Sequence, residues 1–353
     1  MQATIGHDAI IRELRTLAAS SDPPHALLFA GPDHTGRALL ARYYAMLLNC
    51  DFGPGGPRAG ERAGDALPCG ECRPCRLIAE GVHPDVITLT PGDLLCKPRE
   101  GDSHAKHADS RDIRICQIRG LIELTARFPF EARYRAVTID PAERMNRDAA
   151  NTLLKTLEEP PGHTVFTLLT AAPEAIPETI VSRCRRIDVT TVDRGTIEAG
   201  LVARGFPADV AEAAAEAARG RPGIAMTFAA QPDLMGDRER LAERCREIAG
   251  ANIRERFRYA NELAERWRQD RGSVSRELEA WESFWETELA AAAARRDEAA
   301  AMEALGALRA VRLAEEDLLA QVVARMALEN MLLSFPRGTL GARPREAPDN
   351  SYV

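Results

Sequence analysis

Residues 25–38 read HALLFAGPDHTGRA, an apolar run that ends in a glycine-containing turn and leads into a helix-forming segment. An apolar strand followed by G-x-x-x-x-G-K-[ST] is the phosphate-binding loop of nucleotide hydrolases, where the lysine reaches the phosphates and the hydroxyl holds Mg²⁺. Here Gly31 and Gly36 are kept, but Arg37 stands at the lysine position and Ala38 at the hydroxyl position. Arginine is a planar fork rather than a compact ammonium, and alanine cannot bind a metal. The stretch therefore predicts a nucleotide-hydrolase frame that is poorly equipped for hydrolysis.

Strand-like and helix-like segments alternate through the first half of the chain. Short β-rich runs lie at 86–89, 136–139, 165–169 and 187–189, and helical patterns at 39–48, 113–126 and 147–157. Such alternation implies a parallel α/β sheet. Two segments without periodicity interrupt the pattern, at 51–68 and 91–110.

Beyond residue 191 the sequence favours helices only. Short helices are expected over 194–230 and longer ones over 237–334, where Ala, Glu, Arg and Leu dominate. Five bulky aromatic residues at helical spacing predict core and inter-helix packing: Phe257, Trp267, Trp281, Phe284 and Trp285. An apolar helix predicted over 321–333 is a candidate for contact with a partner chain, and the tail 336–353 is expected to be disordered.

Length and charge set limits on the class of protein. The 353 residues suggest two or three domains, and a net charge of −7 argues against a chain that coats nucleic acid by itself. No apolar run approaches the roughly 20 residues of a membrane span, and the first residues lack the apolar core of a signal peptide. The expected location is therefore cytoplasmic, with no membrane partner.

Four of the eight cysteines have the spacing of metal ligands. Cys50, Cys69, Cys72 and Cys75 form C-x18-C-x2-C-x2-C, and C-x2-C lets two sulfurs reach one ion from a tight turn. Four thiolates complete a tetrahedral zinc site and leave no open position. The spacing predicts a structural zinc ion. The alternative is that these are free core or redox thiols.

The run 136–139 is followed by an acidic residue, Asp140, and then by Pro141. In phosphate-binding-loop ATPases an aspartate in this place supports Mg²⁺, and a glutamate is often found next to it. Proline cannot do acid–base work, although Glu143 lies nearby. Two interpretations of Asp140 are open: a vestigial metal position, or a cap of the turn leading to the following helix.

Several motifs in order resemble one family. NTLLKTLEEPP at 151–161, PETIVSRC at 177–184, HALLFAGP and the cysteine insertion together resemble the AAA+ subunits of the bacterial DNA polymerase III clamp loader, over roughly residues 5–230. The resemblance implies an AAA+ domain over 1–190 with a zinc module at 50–75, and a helical lid over 191–235. The resemblance also implies a helical collar domain over 236–335.

The departures from the family pattern favour the delta-prime type, which often does not hydrolyse ATP, over the hydrolysing tau/gamma type. Gly223 stands where the family's ATPases carry a lid arginine that touches the nucleotide. By resemblance, the degenerate nucleotide site comprises Gly31, Gly36, Arg37, Asp140 and Thr170, the last at the position that senses the γ-phosphate. We expect this site to bind ATP and Mg²⁺ weakly or not at all, and not to hydrolyse ATP.

The Ser182-Arg183-Cys184 motif is intact. An arginine finger stabilises charge on a transferring phosphoryl group and can be supplied to a neighbouring subunit. By resemblance, Arg183 would enter the ATP site of an adjacent tau/gamma subunit. The alternative is an exposed arginine beside Arg185 and Arg186.

The resemblance thus implies a component of the DNA polymerase III holoenzyme without intrinsic ATPase activity. Its partners would be the tau/gamma and delta subunits and, through the complex, the sliding clamp and primer-template DNA. Basic residues near the 151–157 helix (Arg144, Arg147 and Lys155) would face DNA or form a solvated surface. The rival hypotheses are an active tau/gamma-type ATPase and a zinc-stabilised DNA-binding adaptor outside replication.

Overall fold

The computed structural model describes residues 4–62, 67–93, 110, 112–319 and 322–336. The described residues up to Ala230 form one compact unit, and those from Gln231 form a second. Most of the insertion predicted over 91–110 lies outside the described residues, as does the tail predicted to be disordered, apart from Pro336. No helix in the described ranges is both long enough and apolar enough to cross a membrane.

The first unit contains the predicted parallel sheet. Its strands are β1 (Ala26–Ala30), β2 (Val86–Leu89), β3 (Arg135–Ile139), β4 (Thr164–Thr170) and β5 (Arg185–Asp188). All neighbours are parallel, in the order β2-β3-β4-β1-β5. Every residue of β1 and β4 is buried, as expected for central strands covered on both faces. The α/β fold predicted from the sequence is confirmed.

Nine α-helices of the first unit are described. They are α1 (Asp8–Ala18), α2 (Arg37–Asn49), α3 (Arg73–Glu80), α4 (Ile115–Thr125), α5 (Arg147–Glu158), α6 (Glu178–Val181), α7 (Arg194–Val202), α8 (Ala208–Ala217) and α9 (Pro222–Ala230). Because ligands of open parallel sheets bind outside the carboxyl ends of the strands, the residues after β1, β3 and β4 are the natural site. Gly31, Asp140 and Ala171 follow these three strands.

The regular secondary structure in the described part of the second unit is all helical. Its helices are α10 (Asp233–Gly250), α11 (Ile253–Gln269), α12 (Arg271–Arg295), α13 (Glu298–Leu319) and α14 (Ala324–Leu333). The predicted aromatic packing is confirmed for Trp267, Trp281, Phe284 and Trp285, which lie in one core, while Phe257 is half-buried. The Trp281 ring lies 4.7 Å from the Phe335 ring, between centroids.

The apolar helix predicted over 321–333 begins later than expected. Its first helical residue is Ala324, and Gln321 lies outside the described residues. The N–H of Val322 donates to the carbonyl of Asp317, and Val323 has a non-helical backbone. Both valines are exposed. β-Branched residues are weak helix formers, which fits their position before the helix rather than in it.

Candidate functional site

The loop between β1 and α2 needs glycine at two positions. A Cβ atom on Gly31 would lie 1.9 Å from the carbonyl oxygen of Val189, so no side chain fits there. Gly36 has a φ of 107°, a region that favours glycine. The N–H of Gly31 donates to the carbonyl of Thr170 at 3.0 Å and thereby joins the loop to the end of β4. The loop therefore depends on glycine at both positions that the sequence motif keeps.

The Arg37 side chain turns back into its own loop. It is only 7% exposed, and its Nη2 pairs with the carboxylate of Asp33, four residues earlier. Its Nη1 is buried and has no hydrogen-bond partner among the described residues. Ala38, one residue later, has no group that could ligate Mg²⁺. Position 38 therefore supplies no metal ligand, and Asp33 partly neutralises the charge of Arg37.

Residues from two other segments donate hydrogen bonds to backbone carbonyls of the loop. The N–H of Gly223, at the start of α9, donates to the His34 carbonyl at 2.8 Å. A Cβ atom on Gly223 would come within 2.9 Å of that same oxygen, so a larger residue would require the segments to separate. On the other side, Nε2 of His7 donates to the Thr35 carbonyl at 2.8 Å. The first turn of α9 thus lies against the loop.

Asp140 and Thr170 lie at the carboxyl ends of β3 and β4, as the sequence predicted. Burial raises the pKa of Asp140, and the nearby Arg37 opposes this rise only in part. A carboxyl that is protonated more readily is a poorer metal ligand. The side chain of Asn146 accepts from the Ala149 N–H and caps α5, and both interpretations of Asp140 stay predictions. The Oγ1 of the fully buried Thr170 accepts from the N–H of Ala172 at 3.0 Å.

The four predicted cysteines lie together. The sulfur atoms of Cys50, Cys69, Cys72 and Cys75 are all within 4.8 Å of one another, which is the arrangement of a metal site. Backbone N–H groups of Glu71 and Cys72 point at the Cys69 sulfur, at 3.4 and 3.3 Å. A hydrogen bond from Cys75 lowers the pKa of Cys50 to about 4, and the same contact raises the pKa of Cys75. The cluster could hold a metal ion.

A buried ion pair lies close to this cluster. Asp85, before β2, pairs with Arg135 of β3 at 3.1 Å, and its carboxylate also accepts the backbone N–H groups of 130–132. Burial alone would raise the pKa of Asp85, but these donors together hold it below its ordinary value. The same loop contacts the cysteine module, since Arg73 of α3 pairs with Glu131 at 3.2 Å. We call Asp85, Arg135 and residues 130–132 the Asp85 brace.

Arg183 follows α6 and stands two residues before β5, at the amino-end edge of the sheet. The loop after β1 lies at the opposite, carboxyl-end edge. The Arg183 side chain is 36% exposed; its Nη2 donates to Glu158 at 2.6 Å and its Nη1 to the Thr179 carbonyl at 2.8 Å. The structure therefore does not bring Arg183 together with the other predicted site residues.

Sequence reasoning did not find three of these contacts: His7 on the loop, the Asp85 brace, and Glu158 against Arg183. His7 follows Gly6 in a left-handed conformation, and nothing in its neighbourhood signals a contact 28 residues away. Arg144, Arg147 and Lys155 are all exposed. Their contact with DNA stays a prediction.

Comparison with known proteins bears on this site. A family model described as "DNA polymerase III, delta subunit" matches residues 6–193, just over half of the chain. The chain belongs to this family. The matched region contains the loop at 31–38, the cysteine cluster, Asp140 and Arg183. The resemblance drawn from the sequence motifs is confirmed.

Among its relatives, the delta' subunit of DNA polymerase III from Pseudomonas aeruginosa is 32% identical over 57% of this chain and 53% of its own length. The delta' subunit from Bacillus subtilis is 31% identical over 50% and 46%, and the tau subunit of that organism is 33% identical over 52% and 28%. A solved structure, a gamma subunit-related protein from Thermotoga maritima, shares 15% identity and a TM-score of 0.42 over 92% of this chain and 97% of that one. The chain spans about half the length of the delta' relatives.

Proposed function

We propose that this chain is a delta-prime subunit of the DNA polymerase III clamp loader, a ring member that does not hydrolyse ATP but supplies Arg183 to a neighbour. The observation that carries the proposal is the separation of two sites in one unit. The loop at 31–38 is closed by contacts from its own chain, while Arg183 lies at the opposite edge of the sheet with a side chain that is about a third exposed.

The proposed absence of hydrolysis follows from the chemistry of the degenerate nucleotide site. Its residues are Gly31, Gly36, Arg37, Asp140 and Thr170. Mg²⁺ in such sites needs a loop hydroxyl and an ionised aspartate. Ala38 has no hydroxyl, and burial raises the pKa of Asp140. The described residues therefore do not fit Mg²⁺-ATP. Phosphate alone fits better, since a buried guanidinium N–H and the loop glycines remain.

The proposed role of Arg183 rests on its position and chemistry. A finger that serves another subunit must lie away from its own nucleotide site and reach the surface, and Arg183 does both. Guanidinium groups suit phosphate because they present several N–H donors in a rigid fork. The neighbour would be a hydrolysing tau/gamma subunit. Together with the delta subunit the complex would act on the sliding clamp and primer-template DNA.

We further propose the domain arrangement expected from the sequence: an AAA+ domain over 1–190, a lid over 191–235 and a collar over 236–335. The helices of the second unit, with exposed Met302, Leu313 and Met326, offer apolar surface for the collar contact. Zinc is the proposed metal of the cysteine cluster, because four thiolates without an open position suit Zn²⁺ in a structural role.

Co-purification with tau/gamma and delta subunits, followed by ATPase assays, tests the proposal. We expect a stable complex and no ATP turnover by the chain alone above that of buffer. ATP turnover by the chain alone that is lost in Arg37→Ala would instead identify a tau/gamma-type ATPase. Tight, salt-sensitive DNA binding without association with the other subunits would favour a DNA-binding adaptor.

A further inference from the structure

Arg183 is held by two acceptors from separate parts of the chain. One is the Glu158 carboxylate at 2.6 Å, the last residue of α5, and the other is the Thr179 carbonyl at 2.8 Å, in α6. A guanidinium has five N–H donors in a fixed plane, so these two contacts leave three for another ligand. The two contacts therefore restrain the Arg183 guanidinium and still leave N–H donors for a second ligand.

We infer that Glu158 is a positioning residue that holds Arg183 ready for the neighbouring subunit's triphosphate. This inference rests on the proposed function of Arg183 as a finger. An unrestrained arginine loses much rotamer freedom when it binds, and a side chain already held in place loses less. Glu158 would thereby lower the barrier to hydrolysis in the neighbour without touching the nucleotide.

The exposure of the pair suits this role. The two side chains are about a third and a half exposed, and ion pairs of this kind are weak. A triphosphate carries more charge than one carboxylate, so Arg183 can shift toward it at little cost. A buried pair with further hydrogen bonds, such as the one in the Asp85 brace, could not move in this way.

A second exposed pair two residues away provides a matched control. Arg185 donates to Glu13 at 2.8 Å, and both side chains are exposed to a similar degree. Arg185 is the first residue of β5 and pairs with α1, so its contact fixes strand and helix rather than a finger. Loss of an ordinary surface pair can therefore be measured separately from loss of the Glu158 contact.

The test is steady-state ATP turnover by the reconstituted complex. Three single variants are compared: Glu158→Gln, Glu13→Gln and Arg183→Ala. The fourth protein combines Glu158→Gln with Arg183→Ala. We expect Glu158→Gln to lower the share of turnover due to the neighbouring site by about two- to five-fold, the value of a surface ion pair, with KM for ATP unchanged. Glu13→Gln should match the unmodified complex. The double variant should be no slower than Arg183→Ala alone. Glu158→Asp, which keeps the charge, should recover part of the loss and guards against a glutamine variant that does not assemble.

The outcomes separate the two claims. Normal turnover in Glu158→Gln with slow turnover in Arg183→Ala would overturn the role of Glu158 and leave the finger intact. Faster turnover in Glu158→Gln would mean that Glu158 keeps Arg183 away from the neighbouring triphosphate, which also overturns the inference. Normal turnover in Arg183→Ala would remove the proposed function, and the role of Glu158 with it.

Discussion

Two arginine–carboxylate pairs in the α/β unit, in the Asp85 brace and at Arg183, differ in burial more than in length. Arg135 and Asp85 lie 3.1 Å apart with side chains 6% and 1% exposed, whereas Arg183 and Glu158 lie 2.6 Å apart with side chains 36% and 49% exposed. The longer contact is the more important for stability, because breaking a buried pair leaves a charge without water. The shorter one is worth at most about 1 kcal/mol. Burial thus distinguishes an arginine that fixes the fold from one that is available to another molecule.

The cysteine cluster beside the Asp85 brace should show the largest effect on stability. We expect one zinc ion per chain and, in Cys75→Ser, loss of zinc and of at least about 5 kcal/mol in the free energy of unfolding, because a structural zinc site contributes its binding energy to folding. Metal analysis of reduced protein and urea denaturation measure both. Cys245→Ser, a buried thiol outside the cluster, is the control and should keep its zinc. Fresh protein without zinc would disprove the metal assignment.

Removal of the carboxylate of the brace should come next. Asp85→Ala leaves the buried Arg135 with backbone carbonyl acceptors but without a carboxylate to balance its charge, and we expect a loss of about 3–5 kcal/mol in the free energy of unfolding. Urea denaturation measures it. A loss below about 1 kcal/mol would mean that the Asp85–Arg135 pair contributes no more to stability than the exposed Glu158–Arg183 pair. The contrast between the two pairs would then be lost.

Acid should weaken the brace in a defined direction. Because the folded-state pKa of Asp85 lies below its ordinary value near 3.9, its contribution is complete above that value and is lost as the pH falls through the folded pKa. The free energy of unfolding should therefore fall more steeply below about pH 4 in the unmodified chain than in Asp85→Asn. Parallel pH profiles of the two proteins would show that Asp85 is not held ionised by its donors.

The exposed pairs should show the smallest effects. Glu158→Gln and Glu13→Gln are each expected to change the free energy of unfolding by less than about 1 kcal/mol. The same urea titrations, with added salt to screen the charges, check this. A loss of 3 kcal/mol in Glu158→Gln would make that contact part of the fold and would argue against a movable Arg183.

Local patterns were enough to predict the central part of the site. The apolar run ending at Gly31 predicted β1 and the loop, and C-x2-C spacing predicted the cysteine cluster. Contacts between distant segments were not predictable in this way. The N–H of Gly223 on the His34 carbonyl, and Glu158 against Arg183, depend on how α9, α5 and α6 pack. Acidic residues are common at the ends of helices. Neither the residue type of Glu158 nor its place in the sequence indicates which arginine it pairs with.

The central claim is that this chain assists hydrolysis by a neighbour and performs none itself. ATP turnover by complexes reconstituted with Arg183→Ala or with Arg37→Ala tests it most directly, since the two arginines lie at opposite edges of one sheet. We predict that Arg183→Ala removes the share of turnover due to the neighbouring site, slowing that site by about 10³-fold or more. Arg37→Ala should leave turnover unchanged. Slow turnover in Arg37→Ala together with normal turnover in Arg183→Ala would contradict the claim.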